Sequence, residues 1–226
     1  MVRKESRQFN ISVEGINCEK MYFEHLAKLI NSSNESKYNL KISPRKMSPL
    51  EYAKRNAHRP VEQRGNKKLP YIHIQDIEDF YDDFQRTKFY KVIDEMRIAE
   101  DTFGISYELG YSNYTFELWM LLHVADMSHS VQNRYAYLSS LNKYFNRSFA
   151  HIDDFKRADE FQKILDEFVT LDSVKSAVAR AEMITEGNEK DKKKQEVYRG
   201  FSFYRDNPDI TVHEVVKMIF DVCGVR

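Results

Sequence analysis

Over roughly its first 125 residues the chain switches repeatedly between the two-residue period of a strand and the 3.6-residue period of a helix, which restricts the folds open to it. Residues 8–13, Gln-Phe-Asn-Ile-Ser-Val, alternate apolar and polar side chains and stop at Glu14-Gly15, predicting a strand that ends in a tight turn. Tyr22, Leu26, Leu29 and Ile30 then recur at helical spacing and predict a helix over 19–30. A short strand is expected at Asn39–Ile42. Ser48, Pro49 and Glu51 form a capping-box start for the next helix. Residues 70–76, Pro-Tyr-Ile-His-Ile-Gln-Asp, predict a strand ending near Asp76. A helix over Thr87–Met96, a fourth strand near Gly104–Tyr107 and an apolar helix over Phe116–His123 follow.

The order β-α-β-α-β-α-β-α predicts a doubly wound α/β fold with a largely parallel sheet flanked by helices. Such sheets carry their sites at the carboxyl ends of the strands. Glu14 and Asp76 both fall where a strand is expected to end. From about Asn133 strand signals fade, and Tyr135–Phe145, Asp154–Val169, Ser173–Met183 and Val212–Val222 read as amphipathic helices. The charged stretch Glu186–Arg199 reads as a solvated loop or a fraying helix end. These patterns divide the chain into an α/β core, 1–126, and a helical region, 127–226, packed on it.

Composition narrows the chemistry. The formal net charge is zero, so the chain does not declare itself a nucleic-acid binder by charge alone. Cys18 and Cys223 lie near opposite ends without metal-like spacing, which suits a reduced, cytoplasmic compartment. No apolar run reaches the roughly 20 residues needed to span a bilayer, and no signal peptide is expected, so no membrane partner is. Phosphate-cradling glycine loops, dinucleotide fingerprints and serine nucleophile elbows are all missing from the sequence.

What stands out is acidic. Asp76, Glu78, Asp79, Asp82 and Asp83 crowd into eight residues. In an extended segment Asp76 and Glu78 would point the same way, as a pincer for a hard cation such as magnesium, with Glu14 completing the site or acting as general base. The plainer reading is a solvated run whose Asp82 and Asp83 sit at a helix start. Residues 41–70 hold nine basic residues against two acidic ones. Lys54, Arg55, Arg59, Lys67 and Lys68 are thus candidates for gripping substrate phosphates, or simply line a solvated face. His73 and His123 are expected to be packed rather than catalytic. Glu117 sits in an otherwise apolar helix, where a carboxylate needs a partner, a metal or an exposed edge.

Three ordered motifs resemble the RloB family, known also as the second component of AbiL abortive-infection systems. They are Glu14-Gly15 followed by Glu19 and Tyr22-Phe23, the strand ending in Asp76-Ile77-Glu78-Asp79, and Ser112-Asn113-Tyr114-Thr115-Phe116-Glu117-Leu118-Trp119-Met120-Leu121-Leu122-His123. Departures from the family pattern are Glu78 for aspartate, Tyr114 for proline, and Ile16-Asn17-Cys18 in the first turn. The resemblance implies a Toprim-like fold in which Glu14, Asp76 and Glu78, with Asp79, hold Mg2+ (or Mn2+). Glu19, Ser112, Asn113 and Glu117 would support them. It further implies a nuclease acting on RNA, transfer RNA included, or on DNA, as an effector of antiphage defence beside an ABC-like ATPase partner. Self-association is left open. Two other functions remain: a non-catalytic sensor or regulatory subunit of such an ATPase complex, and phosphoryl chemistry on a nucleotide.

Overall fold

The computed structural model describes residues 4–58, 63–64 and 67–226. In chain order the elements are β1 (Ser6–Phe9), β2 (Ile11–Val13), α1 (Cys18–Ser32), β3 (Asn39–Ile42), β4 (Arg45–Lys46), α2 (Pro49–Asn56), β5 (Gln63–Arg64), β6 (Lys67–Lys68), β7 (Tyr71–Asp76) and α3 (Asp83–Phe103). Next come β8 (Tyr107–Asn113), α4 (Phe116–Leu122), a 3-10 turn (Arg134–Ala136), α5 (Tyr137–Tyr144), α6 (Ile152–Phe155), α7 (Ala158–Phe168) and α8 (Leu171–Lys190). The chain continues through β9 (Gln195–Tyr198), β10 (Phe201–Tyr204), β11 (Asp209–Ile210) and α9 (Val212–Cys223).

The fold is mixed α/β. Its main sheet runs β11-β8-β7-β2-β4, with β8, β7, β2 and β4 parallel and β11 antiparallel at one edge. The register places Val13 opposite Ile74 and Asp76 opposite Ser112, so β2, β7 and β8 finish side by side. A separate parallel pair, β1 and β3, prolongs the layer where the first strand breaks at Asn10.

Strand alternation divides the core into two. Ile11, Val13, Ile72 and Ile74 face the larger cluster, built with α1, α4 and α5–α9. Tyr71, Tyr107, Leu109 and Tyr111 face the smaller one, with α2 and α3. The inner strands β2 and β7 thus bury both faces, as parallel strands covered by helices must, whereas the edge strand β4 is exposed. The helix boundaries follow local chemistry: Ser48 and Asp82 accept from Glu51 N and Gln85 N as N-caps, and Gly104 ends α3 in the left-handed region at φ 62°.

Several expectations are corrected. The first strand is two short strands, and the fourth begins at Tyr107 rather than Gly104. The helix expected over Asp154–Val169 is split into α6 and α7. The region after Asn133 is not purely helical. It holds the β9–β10 hairpin and β11, and Gln195–Tyr198 is a strand rather than loop or helix end. Arg199 and Gly200, both at positive φ (46° and 82°), make the two-residue turn that a twisted hairpin needs. Among the described residues no helix is long and apolar enough to cross a membrane.

Candidate functional site

The adjoining ends of β2, β7 and β8 carry a cluster of carboxylates. Glu14 follows β2 directly, and its backbone N–H extends the ladder to Ile74 O at 3.0 Å. Its Oε2 accepts from the backbone N–H of Asp76 at 3.1 Å and from Gln75 Nε2. Behind Gln75 stands a buried chain: His73 Nε2 lies 3.3 Å from Gln75 Oε1, and Ser12 Oγ lies 2.8 Å from His73 Nδ1. Because Gln75 turns its NH2 to Glu14, its carbonyl accepts from His73 Nε2–H, leaving Nδ1 to accept from Ser12. Burial holds His73 neutral, with its pKa pulled down to about 4. The packed histidine expected from sequence is therefore a positioning element for Glu14.

Asp76 has the parity of Ile72 and Ile74, so its side chain lies on the α1–α4 face, whereas Glu14 leans towards Gln75 and α3. On the α1–α4 face stand Glu19, in the first turn of α1, and Glu117, in the first turn of α4, both buried. Acidic residues suit first turns because of the helix dipole. Gly15 leaves room for the Glu19 carboxylate, which a Cβ at that position would force to shift.

Electrostatic stress is concentrated at Asp76. Burial, then the charges of Glu19, Glu14 and Glu117, push its carboxyl well above the usual range, and Lys156 offsets this only in part. Glu19 is pushed up to about 7, mainly by burial, against its own backbone hydrogen bond and Lys156. Asp76 Oδ1, Ser112 Oγ, Thr115 Oγ1 and Glu117 Oε2 are buried and have no hydrogen-bond partner among the described residues. Unpaired polar atoms of this kind are costly, by about 1–3 kcal/mol each.

Three cations meet the carboxylates, and none of them was singled out from sequence. Lys88, from α3, pairs with Glu14. Lys156, after α6, stands 3.0 Å from Glu117 Oε1. Burial disfavours the Lys156 charge, but Glu117 and Asp76 outweigh that and hold its pKa above the ordinary lysine value. Asn17 Nδ2 donates to Lys156 O at 3.2 Å, tying this segment to the first turn. Arg134 approaches Glu78 at 3.9 Å. Glu19, Glu117 and Lys156 also line a cavity of about 210 Å³.

The remaining candidates are placed differently. β7 ends at Asp76, and Glu78 lies beyond it at φ 51°, so the strand alternation behind the two-carboxylate pincer does not reach it. Glu78 instead lines a second cavity, of about 260 Å³, with Arg134, Tyr135 and Tyr114. Asp79 accepts from Tyr81 N at 2.9 Å within a turn. Asn113 is occupied with Tyr204 O and Arg205 O. Lys54 is exposed on α2, and Arg55 there pairs with Glu51. Neighbouring Tyr52 packs on Tyr71, five residues before Asp76, about 16 Å along the strand. Lys68 also precedes β7. Arg59 and the side chain of Lys67 lie outside the described residues. Glu117 is not at an exposed edge: it is buried and paired. His123 has both nitrogens engaged, Nε2 with Tyr22 OH at 3.1 Å and Nδ1 with Trp119 O at 2.9 Å.

The donor set is all oxygen, which is the chemistry of a hard divalent cation, and the orphaned Asp76 and Glu117 oxygens are what such an ion would satisfy. Among the described residues no three His, Cys, Asp or Glu side chains converge as a finished metal cage. Magnesium seldom needs one. It is commonly held by one or two carboxylates, with water and substrate phosphate filling the other positions. The residues therefore fit magnesium bound together with a phosphate ligand.

The model of the RloB-like protein family matches residues 9–219 of this chain. No curated protein and no solved structure matches it.

Proposed function

The chain belongs to the RloB-like family, and from that membership and the strand-end geometry we propose a magnesium-dependent nuclease that hydrolyses phosphodiester bonds. The observation that carries the reading is that Glu14 and Asp76 end adjacent strands, the Glu14 carboxylate accepting from the backbone N–H of Asp76. Three further carboxylates and three cations gather round them.

Asp76 would hold Mg2+, or Mn2+ in its place, with Glu19 and Glu117 on the same face of the sheet. A bound ion of this kind polarises the scissile phosphate and lowers the pKa of an attacking water. The protein's own groups do the rest. The Ser12–His73–Gln75 chain fixes the Glu14 carboxylate, which accepts a proton from that water. Lys88 and Arg134 offer positive charge to non-bridging phosphate oxygens. Nucleic acid is favoured over a small phosphate ester by what surrounds the cluster. Ile16, Tyr81, Phe84 and Tyr135 are exposed apolar side chains in the segments that carry or border the carboxylates. Exposed aromatic rings beside a phosphate site suit unstacked bases. In this reading the protein is a cytoplasmic effector of antiphage abortive infection, working with an ABC-like ATPase.

The test is cleavage of mixed RNA and DNA with magnesium by wild type, Glu14→Gln and Asp76→Asn, each checked for folding by circular dichroism. Loss of magnesium-dependent cutting in both variants is the expected result. Undiminished cutting in both would overturn the assignment. A second reading, a non-catalytic subunit regulating an ATPase, draws on the Lys88–Glu14 ion pair, which gives Glu14 a partner without any metal. It predicts no cleavage by wild type, and ATPase stimulation that survives alanine at residues 14, 76 and 78.

A further inference from the structure

A second polar groove lies at the other end of the same strands. The first strand breaks at Asn10, and the chain from β3 to β4 breaks at Ser43-Pro44. The pairs β1·β3 and β2·β4 therefore part company, since Phe9 pairs with Ile42 but the next pairing is Ser12 with Arg45. The gap opens a cavity of about 620 Å³ between this step, α1 and α2. That volume is within the range of small-molecule sites.

Its lining is basic and amide-rich. Lys28, Lys41 and Arg45 are exposed there, and none makes an ion pair with a described residue. The single lining carboxylate, Glu24, lies 3.9 Å from Lys20. Asn10 carries the most weight. It is 9% exposed and lines the cavity, yet its amide has no hydrogen-bond partner among the described residues. By contrast Asn31 uses its amide on Leu40 N and O, at 2.6 and 2.9 Å, and so braces the groove wall. Three cations without an ion pair among the described residues, and one solvent-reaching amide on a nearly buried side chain, make a site complementary to an anion that also carries a hydrogen-bonding ring.

We propose that this groove binds a nucleoside phosphate, with Lys28, Lys41 and Arg45 on the phosphates and the Asn10 amide, assisted by Gln8, on the base edge. Cation–phosphate pairs and amide–base pairs are the ordinary chemistry of such recognition. The ligand is either a free nucleotide or one unit of a strand. Asn10 lies four residues before Glu14, about 13 Å in extended chain, so a strand could reach both places. The site stands independently of any activity at the carboxylates.

Binding is measured by calorimetry with ADP, and by fluorescence anisotropy with a labelled single-stranded oligonucleotide, both in EDTA so that the carboxylate cluster holds no ion. Wild type and Asp76→Asn are expected to bind, while Asn10→Ala and the pair Lys41→Ala with Arg45→Ala lose at least tenfold affinity. Unchanged thermal melting of the surface pair guards against a folding artefact, because both residues are exposed. ADP binding would identify a free nucleotide, and oligonucleotide binding alone a strand. No binding of either probe by wild type, or binding that Asp76→Asn abolishes and the groove variants leave intact, would overturn the proposal.

Discussion

The backbone amide of Asp76 donates to the carboxylate of Glu14 at 3.1 Å, joining two acidic residues from neighbouring strands. The contact is not a simple pairing of side chains. Glu14 leans towards α3 and Asp76 towards α1 and α4, so the two carboxylates straddle the end of the sheet and expose different oxygens. Asp76 Oδ1 is left buried without a partner.

Magnesium is expected to raise the melting temperature of the wild type and not of Asp76→Asn. A ligand that binds only the folded state stabilises it by about 2.7 kcal/mol at a hundredfold excess over Kd. Differential scanning fluorimetry with and without EDTA reads the shift. An equal rise in both proteins would place the ion elsewhere.

Lys156→Met is expected to destabilise the fold by about 3–5 kcal/mol, because it leaves the Glu117 charge buried and unpaired. Adding Glu117→Gln in the same chain should recover most of that loss. Urea unfolding of the single and double variants measures the coupling. Independent, additive losses would show that the pair is not an electrostatic unit.

Acid should weaken the protein through His123. Its Nδ1–H donates to Trp119 O and its Nε2 accepts from Tyr22, so the neutral ring is fully used, and burial pulls its pKa down to about 4. The unfolded chain takes up this proton near pH 6.5, ahead of the folded one. The histidine's contribution is therefore intact above about 6.5 and drains away as pH falls towards 4, by about 3 kcal/mol in all. His123→Gln should show a shallower loss of urea midpoint across that window, and a slope equal to wild type would count against the assignment.

Phe84→Ala and Tyr135→Ala should leave stability within about 0.5 kcal/mol of wild type, since both rings are exposed. If unpaired bases stack there, each variant should weaken binding of single-stranded substrate by about 1–3 kcal/mol while sparing duplex. Filter binding with matched single- and double-stranded probes separates the two. Equal loss on both would point to backbone contacts instead.

Much of this was legible in the residues themselves. Alternation in 70–76 located β7, and the Ser48-Pro49-Glu51 cap located α2, because both signals are local. The breaks that make β1, β2, β3 and β4 separate strands are less visible, since a ladder depends on a neighbour that local pattern does not name. The β9–β10 hairpin was hidden by the lysines before it, although Arg199-Gly200 between Val197-Tyr198 and Phe201 carried a turn signal. Within the site, Glu14 and Asp76 were readable as strand-end acids. Lys88 and Lys156 were not, because each is an ordinary lysine on a charged segment until folding brings it to a carboxylate far away in sequence. Glu78 stays within reach of the same Lys88 charge as Glu14 and Asp76, but its alternation with Asp76 in the sequence ends with the strand.

β11 has a consequence for how the protein is made. Asp209 and Ile210 are the outer neighbours of Asn113 and Ser112, so the sheet border beside the carboxylates is supplied by residues synthesised long after those it covers. A nascent chain that has not reached residue 210 has β8 as a bare border, with half its hydrogen-bonding groups unmatched. The sheet end that carries the carboxylates thereby stays unfinished on the ribosome until almost all of the region after β8 has emerged.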